Sequence, residues 1–200
     1  MKVLIATHNK GKLKEIKHML EGIDIELVMP SDIGIDISKI EENGSSFLEN
    51  AKIKAYEAYK LGGIPTLADD SGLVIDALNG APGIYSARYA GENATDKDKI
   101  NKVLSELKNA ELKDRTARFV CAVCLKISDE KEITVQGSCE GSIALEPFGD
   151  GGFGYDPIFL TEDGTSFAAI DSNKKDEISH RGNAFNKLKI KLKEYIENGE

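Results

Sequence analysis

The order of elements expected from the sequence is that of an α/β protein, in which strands and helices alternate, and three stretches carry that expectation. Val3 to Ala6 is a short apolar run suited to an interior strand, and Leu13, Ile16, Met19 and Leu20 behind it fall on one face of a helix. Phe47, Ala51, Ala55, Ala58 and Tyr59 mark a second helix that stops at Leu61-Gly62-Gly63, ahead of the apolar approach Leu67-Ala68. Arg118 to Ile127 and Glu132 to Gly141 read as paired strands about the hairpin turn Ser128-Asp129-Glu130-Lys131.

Between the first strand and helix lies Thr7-His8-Asn9-Lys10-Gly11-Lys12. A strand, a polar glycine-containing loop and a helix aim backbone N–H groups and a positive dipole end at whatever sits above the loop. Lys10, Lys12 and Lys14 add charge there, although the spacing of a Walker loop is absent. Such a loop is either a phosphate site or a plain strand-to-helix turn. Glu26 to Val28 suits a second strand, Ile33 to Ile40 alternates weakly, and Glu41-Glu42-Asn43-Gly44 is a turn. Ser46-x-x-Glu49 is a capping box for the second helix. Lys52 and Lys54 stand on that helix, with Glu57 at helical spacing to pair with one of them.

Asp69-Asp70-Ser71-Gly72 follows, and it is the first anomaly. Asp is depleted in strands, neighbouring carboxylates repel, and burying them without a partner is costly. A divalent cation with a phosphate substrate would compensate them; a solvated turn is the other reading. Gly80 to Gly91 describes an ordered, packed loop, and Thr95-x-x-Asp98 caps a helix with Ile100, Val103, Leu104 and Leu107 inward.

The second anomaly is Pro147-Phe148-Gly149-Asp150-Gly151-Gly152-Phe153-Gly154-Tyr155-Asp156-Pro157. Its glycines cost conformational entropy, and they flank exposed-looking aromatics, with Phe153 offering a stacking face. Ile158 to Leu160 and Phe167 to Ile170 suit short strands. A last helix carries Phe185, Leu188, Leu192 and Tyr195 or Ile196 inward, and Ser179-His180-Arg181 opens it. A cation at a helix N-terminus opposes the dipole, so Arg181 is better explained by reaching out to a ligand than by a surface salt bridge.

Two hundred residues allow one domain, or one domain with a small second lobe. A net charge of -8 argues against a general nucleic-acid binder, which needs a basic stripe. It leaves room for a phosphorylated small ligand held by a local cluster of lysines. Cys121-x-x-Cys124 lies in an apolar strand, where three residues apart means opposite faces. No second pair of this kind and no nearby histidine pair accompanies it, so the thiols, Cys139 included, belong to a core in a reducing cytoplasm. Met1 to Ala6 is too short for a signal peptide, and no apolar run reaches the roughly 18 residues of a membrane span. A soluble cytoplasmic protein with no membrane or nucleic-acid partner is expected.

Taken together, Asp69, Asp70 and Glu41 or Glu42 would suit a cation, and Lys12, Lys54, Lys175 and Arg181 would suit phosphates. Phe153 would lie against a base whose edge Asp156, His180 and Arg181 would read. Metal-assisted attack of water on phosphorus needs this inventory of Lewis acid, base and charge clamp.

These residues fall in motifs that span nearly the whole chain: Ala6-Thr7-x-Asn9-x-x-Lys12, Phe47-x-Glu49-Asn50-Ala51-x-x-Lys54-Ala55 and Leu67-Ala68-Asp69-Asp70-Ser71-Gly72-Leu73. Pro82-Gly83-x-Tyr85-Ser86-Ala87-Arg88-Tyr89, Gly152-Phe153-Gly154-Tyr155-Asp156-Pro157 and Ser179-His180-Arg181-Gly182 continue them. In this the chain resembles the inosine/xanthosine triphosphate pyrophosphatases, which clear non-standard purine nucleotides.

The resemblance implies a homodimeric α/β protein, a single domain over residues 1–200 with a long, twisted mixed sheet flanked by helices and two lobes around a central cleft. It implies magnesium-dependent hydrolysis of ITP, dITP and XTP to the monophosphate and pyrophosphate. By motif position Asp70 would be the general base and a metal ligand, with Glu42 the second ligand and Glu41 its neighbouring alternative. Thr7, His8, Asn9, Lys10, Gly11 and Lys12 would hold the triphosphate, assisted by Lys175, with Ser71 beside the substrate. Phe153, Gly154, Tyr155, Asp156, His180 and Arg181 would surround the base, donors there meeting the purine 6-oxygen.

Two positions depart from the family. His8 replaces a small residue, and Ala169 stands where a glutamate is usual, for which a local packing change is expected. A phosphatase with an aspartyl nucleophile would want Asp-x-Asp followed by threonine, which Asp69-Asp70-Ser71 lacks. A regulatory module that binds nucleotide without turnover is the rival from outside the enzymes.

Overall fold

The computed structural model describes residues 1–198. In chain order the regular elements are β1 (Lys2–Ile5), α1 (Lys10–Met19), β2 (Glu26–Val28), α2 (Phe47–Gly62), β3 (Thr66–Ile75) and α3 (Asp96–Glu106). They continue as β4 (Thr116–Lys126), β5 (Glu132–Ile143), β6 (Phe159–Leu160), α4 (Ser172–Ile178) and α5 (His180–Glu197). The strands form one mixed sheet in the order β2-β1-β3-β4-β5-β6. Strand β1 runs parallel to β2 and β3, while β5 and β6 are antiparallel. Among the described residues no helix is long and apolar enough to cross a membrane.

Two compact units make up the chain. The first takes Met1–Asp70, Cys121–Gly137 and the chain from Arg181 onward; the second takes Ser71–Val120 and Ser138–His180.

Within the first unit, strand alternation sorts side chains to two faces. Val3, Ile5, Leu67, Cys121, Val123 and Leu125 pack with Ile16 and Met19 of α1 and with Ala184, Phe185, Leu188 and Leu192 of α5. Leu4, Ala6, Ala68, Ala122 and Cys124 pack instead with Ala51, Ala55 and Ala58 of α2. Full burial of each large aliphatic or aromatic side chain stabilises by about 1.5–3 kcal/mol. Cys121 and Cys124 therefore lie on opposite faces as their spacing predicts, and both are free and buried. Burial pushes each thiol up to about 12. Neither should react with a maleimide in the native protein, and both should react once it is unfolded. Rapid native labelling of either would contradict their placement.

The expected caps at Ser46 and Thr95 form, the first with one shift, and Asn9 supplies a further one. Asn9 opens α1 by accepting from the Lys12 amide, and no acidic residue stands in its first turn. Ser46 caps α2 through the Glu49 amide, yet the Glu49 carboxylate turns to the amide and hydroxyl of Ser45, so the box is offset by one residue. Gly63 ends the helix with φ 65°, a left-handed position.

Leu73, Ile75, Ala117, Phe119 and Ile143 of the sheet build the second unit's core with Ile100, Val103 and Leu107 of α3 and with Tyr155, Ile158, Phe159 and Phe167. The box of Thr95 and Asp98 is reciprocal, as expected.

Three expectations are corrected, and the weakly alternating stretch forms no strand. Asp69 and Asp70 occupy no turn, because β3 runs without interruption from Thr66 to Ile75. Phe167–Ala169 is a single 3-10 turn rather than a strand, since the Ser166 hydroxyl caps the Ala168 amide and bonds the Phe148 carbonyl. No strand forms over residues 33–40; a 3-10 turn, Pro30–Ile33, precedes them, and Asp32 accepts from the Met29 amide. Glu57 pairs with Lys60, leaving Lys52 for Glu132 and Lys54 for Glu42.

Candidate active site

Alternation along β3 separates the two aspartates. Asp69 shares the Leu67 face with α1 and α5, and Asp70 shares the Ala68 face with α2. The repulsion anticipated between adjacent carboxylates is thereby blunted, and each meets different helices.

Asp69 is 2% exposed, with Lys12 Nζ at 2.9 Å and Arg181 Nη2 at 3.6 Å. Burial alone would raise its pKa, but the charges of Lys12, Arg181 and Lys54 hold it well below the ordinary carboxylate range. Asp69 is thus compensated by the protein's own cations, Lys12 and Arg181. Arg181 is also buried and bonds Glu15 as well as Asp69. Burial opposes its charge, and the two carboxylates outweigh that and hold its pKa above the usual value. Arg181 neither reaches outward from the helix start nor forms a surface salt bridge. Asp69 and Glu15 supply the negative charge that the helix dipole denies it.

Asp70 is half-buried, and its Oδ2 accepts from Asn50 Nδ2 at 3.1 Å. Asn50 in turn accepts from the Gly44 amide at 2.8 Å, tying the turn behind Glu42 to the same spot. Lys54 Nζ lies 2.9 Å from Glu42 Oε2 and donates to the Asp69 carbonyl at 3.0 Å. Burial raises the Asp70 pKa, Lys54 and Lys12 oppose it, and Glu42 adds to it, with a net shift above the ordinary value. A carboxylate shifted upward holds a proton more readily than an ordinary one, which suits it to act as a base. Glu41 is exposed, whereas Glu42 is half-buried and ion-paired.

Among the described residues no group of three or more metal-ligating side chains gathers. Glu42 and Asp70 are two carboxylates close enough for one to raise the pKa of the other. That donor set fits a magnesium-like cation, which takes one or two carboxylates and draws its remaining oxygens from phosphates and water.

The loop before α1 is folded by its own side chains: Thr7 Oγ1 accepts from the Asn9 amide at 3.2 Å, and Asn9 Oδ1 from the Lys12 amide at 3.0 Å. His8 and Lys10 are exposed, Gly11 is half-buried, and Lys12 reaches Asp69.

The second unit assembles the Gly-Phe-Gly-Tyr-Asp residues. Asp156 Oδ2 accepts from the Phe153 amide at 2.8 Å and from Lys175 Nζ at 2.7 Å. Lys175, expected on the phosphates, is buried here against Asp156, with its Nζ 5.0 Å from the centre of the Phe153 ring. Gly152 has φ +73°, and a Cβ there would lie 2.1 Å from Asp156 Oδ2, so any side chain would displace the carboxylate. Tyr155, expected among exposed aromatics, is buried, and its hydroxyl donates to the Ser86 carbonyl at 2.9 Å. His180 is buried with its ring stacked on Phe119 at 4.7 Å. Ser71 is half-buried on β3.

Two residues of this network were given no role from sequence, Asn50 standing only within a motif and Glu15 in none. Asn50 stands four residues before Lys54 on one face of α2, and Glu15 three after Lys12 on α1; that spacing was the available signal.

The model of the Ham1 family matches residues 3–191. The chain is 50% identical over 186 residues to the dITP/XTP pyrophosphatase of Bacillus subtilis (strain 168), covering 92% of this chain and 93% of that one. A HAM1 protein structure from Coxiella burnetii superposes with a TM-score of 0.88 at 44% identity, covering 97% of this chain and 99% of that one. The nucleoside-triphosphatase / dITP/XTP pyrophosphatase structure from Mycobacterium abscessus does so with a TM-score of 0.76 at 42% identity, covering 94% and 97%. The resemblance drawn from the motifs is thus borne out along almost the full length, and the chain belongs to the Ham1 family.

Proposed function

We propose that this chain hydrolyses the non-standard purine nucleoside triphosphates ITP, dITP and XTP to the monophosphate and pyrophosphate, with magnesium. The observation that carries this is Asp70, a carboxylate raised in pKa by burial and held by Asn50 beside the Glu42–Lys54 pair. Asp70 takes the proton of the water that attacks the α-phosphorus, and general-base help of this kind is worth about 10²–10⁴-fold. Glu42 and Asp70 would hold magnesium, which when bound supplies Lewis-acid charge and makes the attacking water more acidic.

Lys12 and Lys54 neutralise phosphate oxygens, and the Thr7–Lys12 loop offers backbone N–H groups at the start of α1. Arg181 contributes through Asp69, the buried anion it shares with Lys12. In the second unit Phe153 offers its ring to the purine, with Gly154, Tyr155 and Asp156 beside it and Lys175 held against Asp156, and His180, stacked on Phe119, completes the proposed base site. Ser71 lies along the substrate. A pocket of donors for the 6-oxygen rejects adenine, whose amino group would leave those donors unpaired. A homodimer in a reducing cytoplasm completes the proposal, a setting that the free thiols of Cys121, Cys124 and Cys139 suit.

Incubation with ITP and magnesium should release IMP and pyrophosphate in one step, ATP should be turned over far more slowly, and chelation should stop the reaction. Orthophosphate or a labelled phospho-enzyme would favour an aspartyl phosphatase. Nucleotide binding with no products would favour a regulatory module.

A further inference from the structure

The chain around Phe153 is held at two successive amides by two carboxylates. The Phe153 amide donates to Asp156 Oδ2 at 2.8 Å, and the Gly154 amide donates to Asp96 Oδ2 at 2.7 Å. These N–H groups flank the Phe153 Cα, so together they fix its φ and ψ and with them the direction of its ring. Asp156 lies within the loop. Asp96 is the first residue of α3, distant in sequence and outside every residue assigned above to substrate.

Helix α3 does not need Asp96 as its cap. Thr95 and Asp98 form the capping box, bonding each other's backbone amides. The Asp96 side chain is 49% exposed, with Oδ1 2.6 Å from Lys99 Nζ and Oδ2 turned to Gly154. Burial would raise its pKa, and Lys99 together with the Gly154 amide outweighs that and lowers it. The acceptor is therefore charged at neutral pH, and charged acceptors bind amides more strongly than neutral ones. Gly154 itself has φ +64°, a backbone state that other residues rarely adopt, so its amide direction is a built feature.

We propose that Asp96 is a positioning residue, which through the Gly154 amide aims the Phe153 ring at the nucleobase. The inference rests on the proposed function in taking Phe153 as the base platform. A platform contact is made alike in the ground and transition states, so its loss raises KM and leaves kcat largely in place.

The test compares four variants on ITP. Asp96→Ala should raise KM on the order of tenfold, with kcat within about threefold of the unsubstituted enzyme. Asp96→Ser, a favourable residue at a helix start but too short to reach Gly154, should behave as Asp96→Ala does. Asp96→Asn, whose side-chain oxygen still accepts, should restore KM to near its original value. Lys99→Ala, which removes only the ion pair, should leave KM unchanged.

Amide exchange supplies a second readout that needs no turnover: the Gly154 N–H should lose protection in the Ala and Ser variants and keep it in the Asn variant. Unchanged KM in Asp96→Ala, or an equal rise in Lys99→Ala, overturns the role of Asp96. Absence of ITP hydrolysis by the unsubstituted protein overturns the functional reading instead, while the exchange result still judges the anchor.

Discussion

Asp70→Asn should abolish nearly all ITP turnover and leave the fold intact. The substituted amide still presents an oxygen to Asn50 Nδ2, which now donates to Asp70 Oδ2 at 3.1 Å. What disappears is the proton acceptor and one of the two carboxylates offered to the cation, so the rate should fall by at least the ~10²–10⁴-fold assigned to a general base. Stability should not fall with it. Burial raises the Asp70 pKa in the folded protein, helped by Glu42. A carboxyl whose folded pKa is raised favours the fold at pH values below its ordinary pKa, and that advantage is lost as pH rises through the folded value. At neutral pH the ionised Asp70 opposes folding, and a neutral amide removes that opposition.

The melting temperature of the variant should equal or exceed the original. In the unsubstituted enzyme kcat/KM should rise with pH through a pKa above the ordinary carboxylate range. A variant with undiminished rate would remove Asp70 from the chemistry, and inactivity accompanied by a large fall in melting temperature would show that the fold had been lost instead.

The neighbouring change, Asp69→Asn, has the opposite profile. Asp69 is the buried counter-charge to Lys12 and Arg181, and removing one member of a buried ion pair costs about 3–5 kcal/mol. Arg181 keeps Glu15, which places the loss toward the lower end of that range. For a chain of this length each kcal/mol shifts the melting temperature by about 2–4 °C, so a fall on the order of 10 °C is expected. The pH dependence also has the other sign. The folded Asp69 pKa is lowered, so its contribution is complete above the ordinary carboxylate value and is lost as pH falls below that value toward the folded one. Melts followed from neutral to acid pH should show the unsubstituted protein losing stability steeply and Asp69→Asn much less so. Equal melting at neutral pH would mean that Lys12 and Arg181 are balanced elsewhere.

Adjacent residues with such different consequences show how far the sequence could be read. Strand and helix periods were legible because they depend only on neighbours along the chain. They located β1, α1, α2, α3 and the β4–β5 hairpin, and they set Cys121 and Cys124 on opposite faces. Caps were equally local, as at Ser46 and Thr95. The motifs from Ala6 to Gly182 carried the family for the same reason, since residue types at short spacings are all they require.

Partnership was a different matter. Nothing local indicated that β3 would run straight through Asp69 and Asp70, or that Arg181 would turn inward to Asp69 and Glu15. Equally, only the folded chain shows Lys54 choosing Glu42 over Glu57, Lys175 settling on Asp156, and Asp96 reaching Gly154. Each of these pairs joins separate elements, and the free energy that selects them arises from desolvation and charge compensation that exist only once those elements are packed. Sequence alone thus determined the elements and the chemical inventory; tertiary structure decided which charge answers which.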